Sequence, residues 1–206
     1  MIKAIIFDLG GVCFKIDWIK INKELMRKFD ISILIKSTEN KKIQKYYEDA
    51  LKGKKDVRDM FKELNKNKSD LDEVIEFYKE MYKKYKKHNK EIYKLIRKLK
   101  NKFIIAGLTD TNPIHYKAHE EQGTIKDFHK VFTSFKIRSV KSEINTFKKI
   151  LKELSVKPEE VIFIDDNEKN VKVARSLGIK GIIYKDYEQL IREFRKLGLS
   201  VPKLQQ

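Results

Sequence analysis

The sequence predicts an α/β protein: a three-layer, Rossmann-like core around a mostly parallel sheet, with a small all-helical module inserted near its start. Three observations lead there. From residue 88 onward, short apolar runs alternate with amphipathic helical stretches. Residues 15–87 break that alternation and show helical patterns only. Gly and Pro are scarce, 8 and 3 among 206 residues, which points to short connections and not to disorder.

Taken in order, the first strand is Lys3–Asp8, which runs into a Gly-Gly turn. Further strands are expected at Phe103–Leu108, Lys130–Thr133, Val161–Ile164 and Gly181–Tyr184. The stretches EIYKLIRKLK, PIHYKAHEEQG, EINTFKKILKEL, NEKNVKVARSLG and YEQLIREFRKLG carry apolar residues every three to four positions, and three of them end in a helix-stopping Gly. Such alternation places helices on both faces of a parallel sheet. The interrupting interval reads as the helices IDWIKINKELMRKF, NKKIQKYYEDALKG, DVRDMFKELN and DLDEVIEFYKEMYKKY, with no strand. Its hinges fall near Cys13–Asp17 and Lys86–Asn89. The expected division is therefore residues 1–14 with 88–206 as the core and 15–87 as a lid-like helical cap.

The net charge of +17 admits a nucleic-acid partner. Its distribution does not favour one. Residues 15–87 hold 21 Lys/Arg and 14 Asp/Glu, the rest of the chain 26 and 16, so neither part is a dedicated basic module. Most lysines alternate with acids on helix faces, which describes a solvated surface with a general attraction for anions. The one cysteine, Cys13, excludes an internal disulfide and a Cys-based metal site, and reads as a small buried apolar residue. The apolar run AIIF is far too short to cross a bilayer, so the expectation is a cytoplasmic protein with no membrane partner.

Four segments close predicted strands at the edge where open parallel sheets bind ligands. In IIFDLGGV, Asp8 ends an apolar strand, where a carboxylate is costly unless paired or coordinated. A carboxylate there can attack phosphorus, and Gly10 and Gly11 let the backbone approach a phosphate. A solvated strand-end Asp opening a turn fits the same pattern. In IIAGLTDTN, the Thr109 hydroxyl and the following N–H groups suit a phosphate oxygen; a plain helix N-cap before Pro113 explains the segment equally well. Lys141 follows Ser134 by seven residues in SFKIRSVK and suits charge neutralisation, although most lysines in this chain are surface groups. In VIFIDDNEKN, Asp165 and Asp166 close a β-branched strand, a pattern suited to Mg²⁺, with one of the two also read as the N-cap of the next helix.

The order of these segments is more specific than any one of them. The chain resembles the haloacid-dehalogenase-like hydrolases, in particular cap-bearing members similar to sugar phosphatases, from residue 1 to about 197. Asp8 matches the family's first motif, Thr109 in LTDTNPIH the second, Lys141 the third, and Asp165, Asp166 and Asn170 in FIDDNEKNVKVARSLGI the fourth. The resemblance implies Mg²⁺-dependent hydrolysis of a small phosphate monoester, a sugar phosphate or nucleotide among the candidates. Asp8 is then the nucleophile, Thr109 and Lys141 hold the phosphoryl group, and Asp8, Asp166 and the Gly10 carbonyl hold the metal with Asp165 in support. Gly11, Asp110 and His115 join the substrate-binding set, although His115 reads more readily as ordinary helix packing.

Three positions depart from the family pattern. Gly10 stands where phosphatases carry a second Asp that protonates the leaving group. Asp110 replaces the usual Asn of the second motif. Lys141-Ser142-Glu143 replaces Lys-Pro-acid. Two other readings stay open: metal-free dehalogenation by the same Asp8, which the missing second Asp fits, and a catalytically weak binding or regulatory protein.

Overall fold

The computed structural model describes residues 1–34 and 41–199. The predicted helix beginning at Asn40 and the predicted core beyond Leu199 therefore each include residues outside this range.

The central strand β1 (Ala4–Asp8) is buried at every position, as an apolar run in a doubly covered parallel sheet must be. After it come β2 (Phe14–Ile16) and four helices: α1 (Trp18–Phe29), α2 (Lys41–Leu51), α3 (Val57–Leu64) and α4 (Leu71–Lys84). Strand β3 (Lys86–His88) and α5 (Lys90–Leu99) return the chain to the sheet at β4 (Ile104–Thr109). Then follow α6 (Pro113–Glu121), β5 (Lys130–Thr133), a short α7 (Ser134–Ile137), α8 (Ile144–Leu154), β6 (Val161–Asp165), α9 (Glu168–Ser176), β7 (Lys180–Ile183) and α10 (Tyr187–Lys196). The main sheet has the order β5-β4-β1-β6-β7, and all its neighbouring pairs are parallel.

Side-chain alternation along β1 divides the core into two layers. Ile5 and Phe7 pack with Ile92, Leu95 and Ile96 of α5 and with Leu190 and Phe194 of α10. Ala4 and Ile6 face the other way, toward Phe147 and Ile150 of α8 and Ala174 of α9. Each fully buried Ile or Phe contributes roughly 1.5–3 kcal/mol relative to exposure, so both layers are needed to hold β1 in place.

A third apolar cluster lies among the four inserted helices. Ile21, Leu25, Phe61 and Val74 are fully buried there, and Ala118 of α6 packs with them. The insert thus rests on the helix that follows β4.

The sequence reading of residues 15–87 as strand-free is corrected at both ends. Lys15, Ile16, Lys86 and Lys87 belong to β2 and β3, which pair antiparallel with Phe14 opposite His88 and Ile16 opposite Lys86. Three-residue strands are too short to show a period of two, so no pattern announced them. They lie at the two expected hinges. Asn89 reinforces this ribbon, donating to the Val12 carbonyl at 3.2 Å and to the Tyr184 hydroxyl at 2.9 Å.

Candidate active site

β1 and β6 are adjacent, with Phe7 opposite Ile164. The chain winds from β1 to one side through β4 and β5, then crosses to β6 and β7 on the other. Their C-terminal ends are thus the switch point where open α/β sheets bind ligands. Asp8 and Asp165 are the last residues of these two strands.

Lys141 lies between them. Its Nζ is 2.7 Å from Asp8 Oδ1 and 2.9 Å from Asp165 Oδ2. All three side chains are buried. Burial raises the Asp8 carboxyl to about 7; Lys141 opposes that rise, and the neighbouring Asp165 and Asp166 carboxylates add to it. Burial alone would depress the Lys141 ammonium, but Asp8, Asp165 and Asp110 together hold it above the ordinary lysine range.

Asp165 and Asp166 have different surroundings. Asp165 is fully buried; Oδ1 accepts from the Asn167 N–H at 2.7 Å, and Oδ2 from Asn170 Nδ2 at 3.1 Å as well as from Lys141. Asp166 is exposed and lies against Gly11, at which a Cβ would fall 2.1 Å from its Oδ2. Gly11 has φ +83°, so both its backbone and its missing side chain are used here. The reading of one of these acids as a helix N-cap is corrected: the cap of α9 is Asn167, which accepts from the Lys169 N–H. The helix starts at Glu168, too far along for either aspartate to serve. The helix N-cap expected just before Pro113 is Asn112, whose side chain accepts from the His115 N–H, while Thr109 ends β4.

Oxygens of Asp8, Asp165 and Asp166 lie within 4.8 Å of one another. Three carboxylates against one ammonium, with Asp8 pushed toward neutrality, is a site short of positive charge. An all-oxygen donor set of this kind fits a hard divalent cation such as Mg²⁺.

The residues that follow Asp8 and those at the end of β4 help line a cavity of about 210 Å³. Gly10, Gly11, Thr109 and Asp110 form its floor, and Trp18, Tyr47 and Tyr82 of the insert face them. Asp110 also accepts from the Lys141 backbone N–H with both oxygens, at 3.1 and 3.2 Å. It anchors the lysine loop, a role its difference from the family's Asn did not reveal. His115 lines the same cavity, but both ring nitrogens are engaged. Nε2 is 2.7 Å from the Tyr78 hydroxyl and Nδ1 is 3.3 Å from Asn112 Nδ2, while the ring stacks on Tyr82 at 4.0 Å. Its sequence-level reading as helix packing describes these contacts. Cys13 is buried as expected, with Sγ 3.2 Å from the Asp8 carbonyl.

Sequence reasoning missed the supports of the lysine loop. Glu143 Oε2 accepts from Ser139 Oγ at 2.6 Å, and its Oε1 meets Lys52 of the insert at 2.5 Å. Thr146 Oγ1 donates to the Val140 carbonyl at 2.6 Å. The only signal available was the acid two residues after Lys141.

A doubly wound parallel sheet with an aspartate closing its central strand, a buried lysine beside it and an acidic pair on the next strand defines a class of hydrolases. The sequence profile of the haloacid dehalogenase-like hydrolases matches residues 2–178, and the chain belongs to that family. Enolase-phosphatase E1 of Aquifex aeolicus (strain VF5) is 26% identical over 88% of this chain and 89% of that protein. A HAD family enzyme of Bacteroides thetaiotaomicron, solved as a magnesium complex, has TM-score 0.74 and 26% identity, covering 93% of this chain and 98% of that one. Shorter matches reach drimenol cyclase drtB of Aspergillus calidoustus (33% identical over 34% of this chain) and bifunctional epoxide hydrolase 2 of Rattus norvegicus (34% over 37%), spanning only 13% and 14% of those proteins. Among the described residues, no helix is long and apolar enough to cross a membrane.

Proposed function

We propose that the protein hydrolyses a small phosphate monoester through an aspartyl-phosphate on Asp8, with Mg²⁺ as cofactor. The observation that carries this is the Lys141 ammonium held between Asp8 and Asp165 at 2.7 and 2.9 Å, with a third carboxylate close by. Asp8 Oδ attacks phosphorus, and the bond from phosphorus to the ester oxygen breaks with its electron pair leaving on that oxygen. Lys141 and the Thr109 hydroxyl hold the transferring phosphoryl oxygens. Water then attacks the phosphoaspartate and regenerates the Asp8 carboxylate. The cation supplies charge neutralisation between carboxylate and phosphate when bound.

Asp8, Asp166 and the Gly10 carbonyl are its ligands in this reading. Asp166 is the acid with oxygens to spare. Asp165, whose oxygens are taken by Lys141, Asn167 and Asn170, orients the lysine. Residues 15–87 act as the cap over a core of 1–14 and 88–206, closing the cavity with Trp18, Tyr47 and Tyr82. The two well-covered relatives support this reading, one being named an enolase-phosphatase and the other solved with magnesium.

Dehalogenation has one observation in its favour, Gly10 in place of a second aspartate. The cluster of three carboxylates weighs against it, since a metal-free site has no use for such a charge concentration. The deciding experiment is turnover of p-nitrophenyl phosphate and of 2-chloropropionate, each with Mg²⁺ and with chelator. Mg²⁺-dependent phosphate release that disappears in a folded Asp8→Asn variant is expected. Chloride release unaffected by chelator would overturn the phosphatase reading.

A further inference from the structure

We propose that the protein's substrates carry an apolar leaving group, housed in a second cavity inside the inserted helices; this rests on the phosphatase reading of the site below it. The cavity has a volume of about 400 Å³, within the range of small-molecule pockets. Ile33, Ile43, Met60 and Leu64 line it, and its lining surface is mostly carbon. Among the described residues that line it none is charged, in a chain where 37% of residues are. The described lining residues that carry polar side-chain atoms are Gln44, whose amide donates to Glu48, and Trp18, Tyr47 and Tyr78.

Its position ties it to the reaction. Trp18 and Tyr47 line both this cavity and the 210 Å³ cavity over Asp110 and Thr109, so the two share a wall made of aromatic rings. Tyr78 lines the larger cavity and bonds His115, which lines the smaller. A phosphoryl group placed at Thr109 and Lys141 directs its ester oxygen toward the insert, and the next volume beyond the ring wall is apolar. A polyhydroxylated leaving group would lose its hydrogen bonds to water there with few partners to replace them. An alkyl or alkyl-aryl chain loses nothing and gains burial.

The tyrosine and histidine contacts fix one detail. Asn112 Oδ1 accepts from the His115 backbone N–H at 3.1 Å, so its amide nitrogen faces His115 Nδ1 and donates to it. Burial holds the imidazole neutral, depressed to about 3, so Nε2 carries the hydrogen and donates to the Tyr78 oxygen. The Tyr78 hydroxyl hydrogen is thereby left for another acceptor, such as a polar atom carried on a chain threaded past the ring wall.

The test is a series of 4-alkylphenyl phosphates, from phenyl to 4-butylphenyl, whose leaving-group acidity is nearly constant while the chain grows. kcat/KM should rise about fourfold per added methylene until the cavity is full. Leu64→Phe, which takes up the volume, and Leu64→Asn, which makes it polar at a half-buried position, should each flatten the series. A flat wild-type series with robust hydrolysis of acetyl phosphate would overturn the inference while leaving the phosphatase reading intact. A second readout is independent of turnover. Trp18 is the chain's one tryptophan, so its emission reports on the shared wall. Alkylphosphonates of increasing length should shift that emission with affinity that climbs about fourfold per methylene. Such binding without hydrolysis of any ester would sustain the pocket and remove the phosphatase reading. Affinity independent of chain length would remove the pocket.

Discussion

Lowering the pH from 7 to 5 should destabilise this protein through two buried histidines on α6. His115 and His119 are both buried, at 3% and 0% exposure, where α6 meets α4. Burial depresses them to about 3 and about 2, from an ordinary 6.5, and the nearby Lys86 amine adds to both shifts. That amine has Nζ 2.9 Å from His119 Nδ1 and is itself lowered to about 7 by burial. The sign follows from proton counting. Below 6.5 the unfolded chain binds protons on both histidines while the folded chain does not, so stability is whole above 6.5 and is lost as pH falls. Between pH 7 and 5 each histidine contributes a loss of about 2 kcal/mol, about 4 for the pair. Lys86 adds little in this window, because its folded amine is already half protonated at pH 7 and, like the unfolded one, fully protonated by pH 5. Asp8, raised to about 7, acts in the opposite sense in metal-free protein. Comparison with variants cancels such background. Urea midpoints measured by circular dichroism at both pH values should show His119→Gln losing about 2 kcal/mol less than wild type over the interval. Equal losses in wild type, His115→Gln and His119→Gln would show that these imidazoles are not held neutral and would refute the reasoning.

Three further outcomes follow from the site. Lys141→Met leaves Asp8 and Asp165 facing each other unpaired, and should cost about 3–5 kcal/mol at neutral pH in a urea titration, largely recovered by adding Asp165→Asn; a loss under about 1 kcal/mol would contradict the buried pairing. Gly11→Ala places a methyl 2.1 Å from Asp166 Oδ2 at φ +83° and should raise the Mg²⁺ concentration for half-maximal activity about tenfold, a 1.4 kcal/mol effect in proportion to the 1–2 kcal/mol strain of that conformation; an unchanged Mg²⁺ titration would remove Asp166 from the ligand set. Gly10→Asp meets no atom within 4 Å of its new Cβ, so the missing acid can be installed. If the position is a vacant proton donor, kcat/KM across esters of graded leaving-group pKa should become shallower in Gly10→Asp, by about 10²-fold or more for the poorest leaving groups; a wild-type dependence already shallow would show that another group, such as Asp110, does the protonation.

The core was legible because its central strands β1, β4 and β6 are largely apolar runs and its helices are amphipathic. β1 was expected from Lys3 and starts at Ala4; β6 was expected to end at Ile164 and extends to Asp165. The sequence offered Asp8 and Asp166 as a pair provided that their strands are neighbours, and the pairing of β1 with β6 meets that condition. What remained hidden depended on long-range contacts without local pattern. The β2–β3 ribbon joins residues 70 positions apart in strands of three residues. The two acids of Asp165–Asp166 look alike in sequence, and only the strand geometry sends one inward to Lys141 and the other to the Gly11 side. Asp110 stood out only as a replacement for the family's Asn because nothing local shows that it accepts from the backbone of residue 141.

The inserted helices leave and rejoin the core through one antiparallel pair, Ile16 opposite Lys86. Facing residues in such a pair have Cα atoms only about 4.5–5.5 Å apart. As far as the sheet is concerned, everything between them has the footprint of a hairpin turn. The register of β1 against β4 and β6 places no constraint on how many residues the insert holds or how they are arranged. Descent with modification can therefore exchange, lengthen or repack this module without resetting the positions of Asp8, Lys141 and Asp165. One arrangement of carboxylates and lysine can in this way persist beneath modules that differ in what they admit to it.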